Sequence, residues 1–159
     1  MMNINFIAMG KLKESYFREA CAEYQKRLSA FARVTVREPE PQPLPQNPSA
    51  AQISAALERE AKDILTHTGS GFNIALCVEG KHLSSERLAE KIQNLGNDGI
   101  STVNFIVGSS FGLAESLKEK CQMRMSMSEM TFPHSLARVM LFEQVYRAFS
   151  IINNSKYHK

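Results

Sequence analysis

Two runs leave this chain little freedom in how it folds. FNIALCV (72–78) and TVNFIVG (102–108) are apolar at successive positions rather than at alternate ones. A strand of that kind must be covered on both faces, as happens in parallel sheets sandwiched between helices. Each run leads through turn residues into a stretch with helical spacing, ending near Leu95 and Lys120. Glu79-Gly80-Lys81 reads as the first turn, and Ser84 suits the cap of the helix behind it. Upstream the rhythm is the same. Residues 3–9 (NINFIAM) read as a strand ended by Gly10, and 32–37 (ARVTVR) as an alternating strand. Between them, 15–31 carries Phe17, Cys21, Tyr24, Leu28 and Phe31 at helical spacing. Residues 49–67 predict a helix, 123–128 (MRMSMS) a short strand and 135–152 a final helix. The predicted fold class is α/β: a mainly parallel sheet with helices on both faces, in one domain over 1–159.

Five of the six prolines fall in 38–48 (EPEPQPLPQNP), which predicts an extended surface loop inside the domain. The first residues have no basic flank or cleavage site of a signal peptide, and no apolar run is long enough to span a bilayer. Cys21, Cys77 and Cys121 match no zinc or CxxC spacing and read as reduced core residues, so the expected location is cytoplasmic, with no metal and no membrane partner. The net charge of +3 is small, but after Glu129 four Arg and Lys face one acid, Glu143. That asymmetry suits either a polyanionic partner or a solvated basic tail.

Ligands of open α/β sheets bind beyond the carboxyl ends of the strands. Three loops qualify here: after Val78, after Val107 and after Met127. The second, Gly108-Ser109-Ser110-Phe111-Gly112, has glycines that let backbone approach a ligand, although an ordinary tight turn looks the same. The third, Ser128 to His134, mixes hydroxyls, apolar side chains, a proline and an imidazole. In the last helix Leu141, Phe142, Val145, Ala148, Phe149 and Ile152 crowd one face while Val139 and Met140 widen it. A helix apolar this far round is buried on two sides, one of them suiting a second subunit. Arg138 falls among these residues and needs an anion, from a carboxylate or a ligand. Glu143 and Arg147 stand i, i+4 on the polar strip, and Lys156-Tyr157-His158-Lys159 sets an aromatic and an imidazole among cations.

The segments LCVEGKHLSSE (76–86), FIVGSSFGL (105–113), SMSEMTFPHSLARVMLFEQVYRAFSII (126–152) and the terminal YHK resemble one family, as does GKLKE (10–14). This is the ribosomal RNA large subunit methyltransferase H family of the SPOUT (α/β-knot) superfamily, and the likeness covers all but the proline-rich loop. It implies a C-terminal trefoil knot, a homodimer, and methylation of N3 of a pseudouridine in 23S rRNA, acting on the assembled ribosome. It implies S-adenosyl-L-methionine as cofactor, bound by Leu76, Gly108, Met127, Ser128, Glu129, Met130, Thr131 and Phe132. It places Glu143, Arg147, Tyr157 and His158 on the catalytic, substrate side; we assign His158 or Glu143 as base, Arg147 as the cation that stabilises the anion, and Tyr157 to stack on the target base or orient it. The family has a second glycine where this chain has Ser109. Two rivals remain: a knotted methyltransferase acting on tRNA, and a ribosome-binding assembly factor without catalysis. The short span from the last helix to Tyr157 further predicts a tail that crosses to the partner subunit's site, beside the partner's copy of the Arg147 position.

Overall fold

The computed structural model describes residues 1–159. Five strands form one sheet: β1 (Asn3–Ala8), β2 (Arg33–Arg37), β3 (Phe72–His82), β4 (Thr102–Val107) and β5 (Met123–Ser126). Their order is β2-β1-β4-β3-β5, and every pairing is parallel. The helices are α1 (Ser15–Leu28), α2 (Ala50–Leu65), α3 (Ser85–Asn97), α4 (Glu115–Lys120) and α5 (His134–Ile152). One face of the sheet carries α1, α3 and α5 over a core that includes Ile4, Phe6, Phe105 and Phe142. There the Phe6 and Phe142 rings stack with centroids 3.9 Å apart. The other face carries α2 and α4, which cover Ile7, Ala75 and Ile106 with Ala61, Ile64 and Leu117. The central strands are therefore buried on both sides, as their largely apolar runs require.

Register is pinned by a polar device. Asn5, Asn104 and Asn73 are partners across β1, β4 and β3. Fully buried Asn104 accepts from Asn5 and donates to the Asn73 side chain and the Thr68 carbonyl, each at 2.8 Å. A one-residue slip of any strand would strand these amides without partners.

The element bounds follow the sequence reading closely. Ser84 caps α3 by accepting from the Arg87 N–H, and Ser49 with Gln52 forms a complete capping box at α2. One reading is corrected. Residues 79–81 do not turn; β3 stays extended to His82. Met125 is the register partner of both Leu76 and Lys81. A Cβ on Gly80 would stand only 2.6 Å from the Met125 carbonyl carbon and 2.8 Å from that of Arg124. The chain thus passes over the backbone of β5 at Gly80, a crossing that only glycine allows, and holds β5 from both edges. Gly80 marks this contact rather than a tight turn.

The proline-rich segment is exposed but fastened. Its Pro39 carbonyl accepts from the Gly10 N–H at 2.7 Å, where Gly10 has φ +82°. The anion that Arg138 needs is Glu38, bonded at 2.7 Å. Arg138 also donates to the carbonyls of Met9 and Gly10 and is only 2 % exposed. The strap is thereby tied across the carboxyl end of β1.

Candidate functional site

The three predicted loops converge. The ends of β3, β4 and β5 enclose a cleft of about 530 Å³, within the range of small-molecule sites. Leu76, Gly108, Met127, Ser128, Met130, Thr131 and Phe132 all line it; of the predicted cofactor set, only Glu129 does not. Half of its lining residues are apolar. Val78, Phe111 and Met130 leave large apolar surface exposed at its walls.

Local chemistry shapes each wall. Gly112 has φ +84° and its N–H donates to the Ser109 carbonyl at 2.8 Å, closing the β4–α4 loop into a tight turn. A Cβ on Gly108 would lie 2.4 Å from the Gly112 carbonyl oxygen. The demand for glycine at 108 therefore comes from closure of the loop on itself, before any ligand is considered. Ser109, where the family has its second glycine, has no positive φ, and its Oγ donates to Glu60 of α2 at 3.1 Å. The hydroxyl is accommodated rather than strained. In the β5–α5 loop the Ser128 hydroxyl accepts from the Met130 N–H at 3.0 Å, and Pro133 leads into α5. Lys118 reaches the cleft between Glu79 and Glu115.

A second cluster sits farther along α5. Glu143 Oε1 accepts from Arg147 Nη2 at 2.6 Å, Arg147 Nε at 2.9 Å and the Tyr157 hydroxyl at 2.9 Å, and Oε2 accepts from Gln144. Arg147 also lies over the Tyr157 ring at 4.7 Å. His158 has Nδ1 3.2 Å from Arg147 Nη1 and Nε2 2.8 Å from Glu86 Oε1. A guanidinium can only donate, so Nδ1 is the acceptor and Nε2–H faces the carboxylate. Burial first, and then the bond to Glu143, pushes the Tyr157 phenol up to about 12. The backbone first, and then His158, holds the Glu86 carboxyl below its ordinary range.

All four predicted catalytic residues thus meet, but with a difference. The tail folds over its own α5, so Tyr157 and His158 join the Arg147 of the same chain. Within one chain the tail thus meets its own Arg147, and whether it also reaches the partner's cleft belongs to the subunit arrangement proposed below. The Arg147–Glu143 pair and the ring of Tyr146, 4.7 Å from that of Tyr157, provide a docking place that was not foreseen. Glu86 and Glu60 had been given no role. For Glu60 a signal existed: it lies three residues from Leu57 and four from Ile64, a carboxylate on an apolar stripe.

A family model described as a predicted SPOUT methyltransferase matches residues 2–158. The chain belongs to the SPOUT methyltransferases. Among them it falls in the ribosomal RNA large subunit methyltransferase H family. The protein of that name from Pelotomaculum thermopropionicum is 45% identical, with 99% of each chain covered. The one from Bifidobacterium animalis subsp. lactis is 44% identical, covering 99% of this chain and all of the relative. The solved tRNA (m1G37) methyltransferase of Aquifex aeolicus superposes with a TM-score of 0.52 at 13% identity, over 92% of this chain and 69% of its own. At that identity the likeness shows the fold alone. No helix of this SPOUT methyltransferase is long and apolar enough to cross a membrane.

Proposed function

We propose that this methyltransferase acts in the cytoplasm as a homodimer and transfers a methyl group from S-adenosyl-L-methionine to N3 of a pseudouridine in 23S rRNA, with the assembled ribosome presenting the base. The observation that carries this reading is the meeting of the strand-end loops in one cleft, in a chain alike from end to end to large-subunit rRNA methyltransferases. When bound, the cofactor supplies a methyl group already activated on a sulfonium, so the protein's work is alignment and proton removal. Leu76, Gly108 and the 127–132 segment would hold it, with Glu129 outside the wall.

Distance along α5 supports the dimer. His134, at the cleft, starts α5, and Glu143 and Arg147 stand about 14 and 20 Å along it at 1.5 Å per residue. Within one chain the cluster is too far from the cleft to share a substrate atom. Leu136, Met140, Glu143 and Arg147 share a partly open face of α5. An antiparallel pairing of two such helices about a two-fold axis would bring each cluster to the partner's cleft. The tail then serves the other subunit together with its own Arg147.

The imide N3 must lose its proton to become a nucleophile. Glu143 has its lone pairs committed to four donors. The Nδ1 lone pair of His158 has one weak commitment, the 3.2 Å contact with Arg147. If Arg147 turns to the developing imide anion, Nδ1 is released to take the N3 proton, and Glu86 steadies the imidazolium at Nε2. Tyr157 orients the base as a neutral phenol. The test is transfer of labelled methyl to naked 23S rRNA, isolated subunits and whole ribosomes, with the product mapped. Transfer to tRNA in place of ribosomes, or equal methylation of ribosomes that carry uridine at the target, would overturn the assignment.

A further inference from the structure

Glu60 is only 4 % exposed, yet it has no cation within ion-pair distance. Its two contacts are both donors: the Gln42 N–H to Oε2 at 2.9 Å and the Ser109 hydroxyl to Oε1 at 3.1 Å. The nearest basic side chain on its helix, Arg59, is engaged with the Gln42 side chain instead. A buried carboxylate without a counter-ion is costly and calls for a compensating charge. The Lys and Glu side chains that line the cleft already cancel, since Lys118 is matched by Glu79 and also by Glu115. The uncompensated charge behind the cleft is that of Glu60. It is separated from the ligand space by one side chain, Ser109, which lines the cleft. Having donated its proton to Glu60, the Ser109 hydroxyl has only lone pairs to offer a ligand.

We propose that Glu60, acting through Ser109, makes the cleft select a cationic ligand over its neutral counterpart: the sulfonium cofactor over the thioether that remains after methyl transfer. The proposal rests on the cofactor reading above. The two molecules differ by one methyl group and one positive charge, so a fixed negative charge behind the loop acts on that difference and on little else. It retains the loaded form and lets the spent form leave. Glu60 is a specificity-determining residue in this sense. It touches no reacting atom.

Calorimetric titration of the full-length protein with S-adenosylmethionine and with S-adenosylhomocysteine tests it without any turnover. Glu60→Gln keeps size and hydrogen bonding but removes the charge. It should weaken the sulfonium ligand about five- to tenfold, the scale of one charge interaction across several ångströms, and change the thioether less than about twofold. Ser109→Ala, which keeps the carboxylate but removes the hydroxyl through which it acts, should lower the preference for the sulfonium ligand in the same direction. Equal weakening of both ligands by Glu60→Gln would overturn the proposal and leave a merely structural role. Should Glu60→Gln fail to fold, the wild-type protein still decides. An aza analogue, with a protonated amine in place of the sulfonium, should bind about as tightly as the cofactor. Binding no tighter than the thioether refutes the idea. If the wild-type protein binds neither ligand, the cofactor reading itself falls, and this inference with it.

Discussion

Replacing Gly108 by alanine adds one methyl group where the cleft has no room for it. The new Cβ would be 2.4 Å from the Gly112 carbonyl oxygen and 2.5 Å from its carbon. Ordinary contact begins near 3.4 Å, so the loop must open by about 1 Å. Opening it breaks the Gly112 N–H bond to the Ser109 carbonyl, now 2.8 Å long, worth about 1 kcal/mol. Strain brings the total to about 1–3 kcal/mol, and a chain of this size then melts roughly 2–12 °C lower. The fold survives such a loss, but the wall that meets the ligand has moved by about 1 Å. Displacements of that size cost on the order of 100-fold in methyl transfer, and cofactor affinity should fall at least about tenfold. Thermal melting and calorimetric titration on the same preparation read both quantities. Unchanged melting with affinity within twofold of wild type would refute the reasoning, because the loop would then have slack that its closure denies.

Mixing tests the subunit arrangement. Arg147→Ala chains combined with Gly108→Val chains should regain up to about half of normal activity per mixed dimer, since one dimer site then pairs an intact cleft with an intact cluster; confirmed subunit exchange without recovery rules out the trans arrangement. Arg147→Ala combined with a deletion of 155–159 should recover nothing, because the tail and Arg147 belong to one chain's cluster. Glu38→Ala leaves the Arg138 guanidinium buried without its anion, and urea denaturation should read a loss of about 3–5 kcal/mol; a loss below about 1 kcal/mol would mean that water reaches Arg138. Tyr157 is raised from 10 to about 12 by burial and Glu143. A raised value gives stability that is whole below pH 10 and lost as pH climbs toward 12, so wild type should lose stability in that window and Tyr157→Phe should lose less.

The parallel sheet and its helices were legible because FNIALCV and TVNFIVG are apolar at successive positions apart from Asn73, Thr102 and Asn104, and coverage on two faces explains that. The cleft was legible as three strand ends, from topology alone. Gly80 was misread because a glycine between a strand and a helix usually marks a turn, and nothing local reveals that another strand lies beneath it. The tail's docking place on its own helix was hidden for a related reason. The Tyr146 ring and the Arg147–Glu143 pair that receive it are neighbours in sequence, but only the fold shows that Asn154, at φ 54°, bends the chain back toward them. Arg138 fared better, since its position on an apolar helix demanded an anion, although Glu38, one hundred residues away, could not be named beforehand.

The passage of β3 over β5 also constrains the order of assembly. A sheet built by laying strands side by side can add each one as the chain supplies it. Here β5 is enclosed between Leu76 and Lys81, so it cannot simply dock on a finished edge. Either the 77–80 span closes over β5 after that strand has paired, or everything beyond residue 126 is drawn beneath it. Both routes tie completion of the sheet to that one crossing, and α5, which carries Glu143 and Arg147, settles after it.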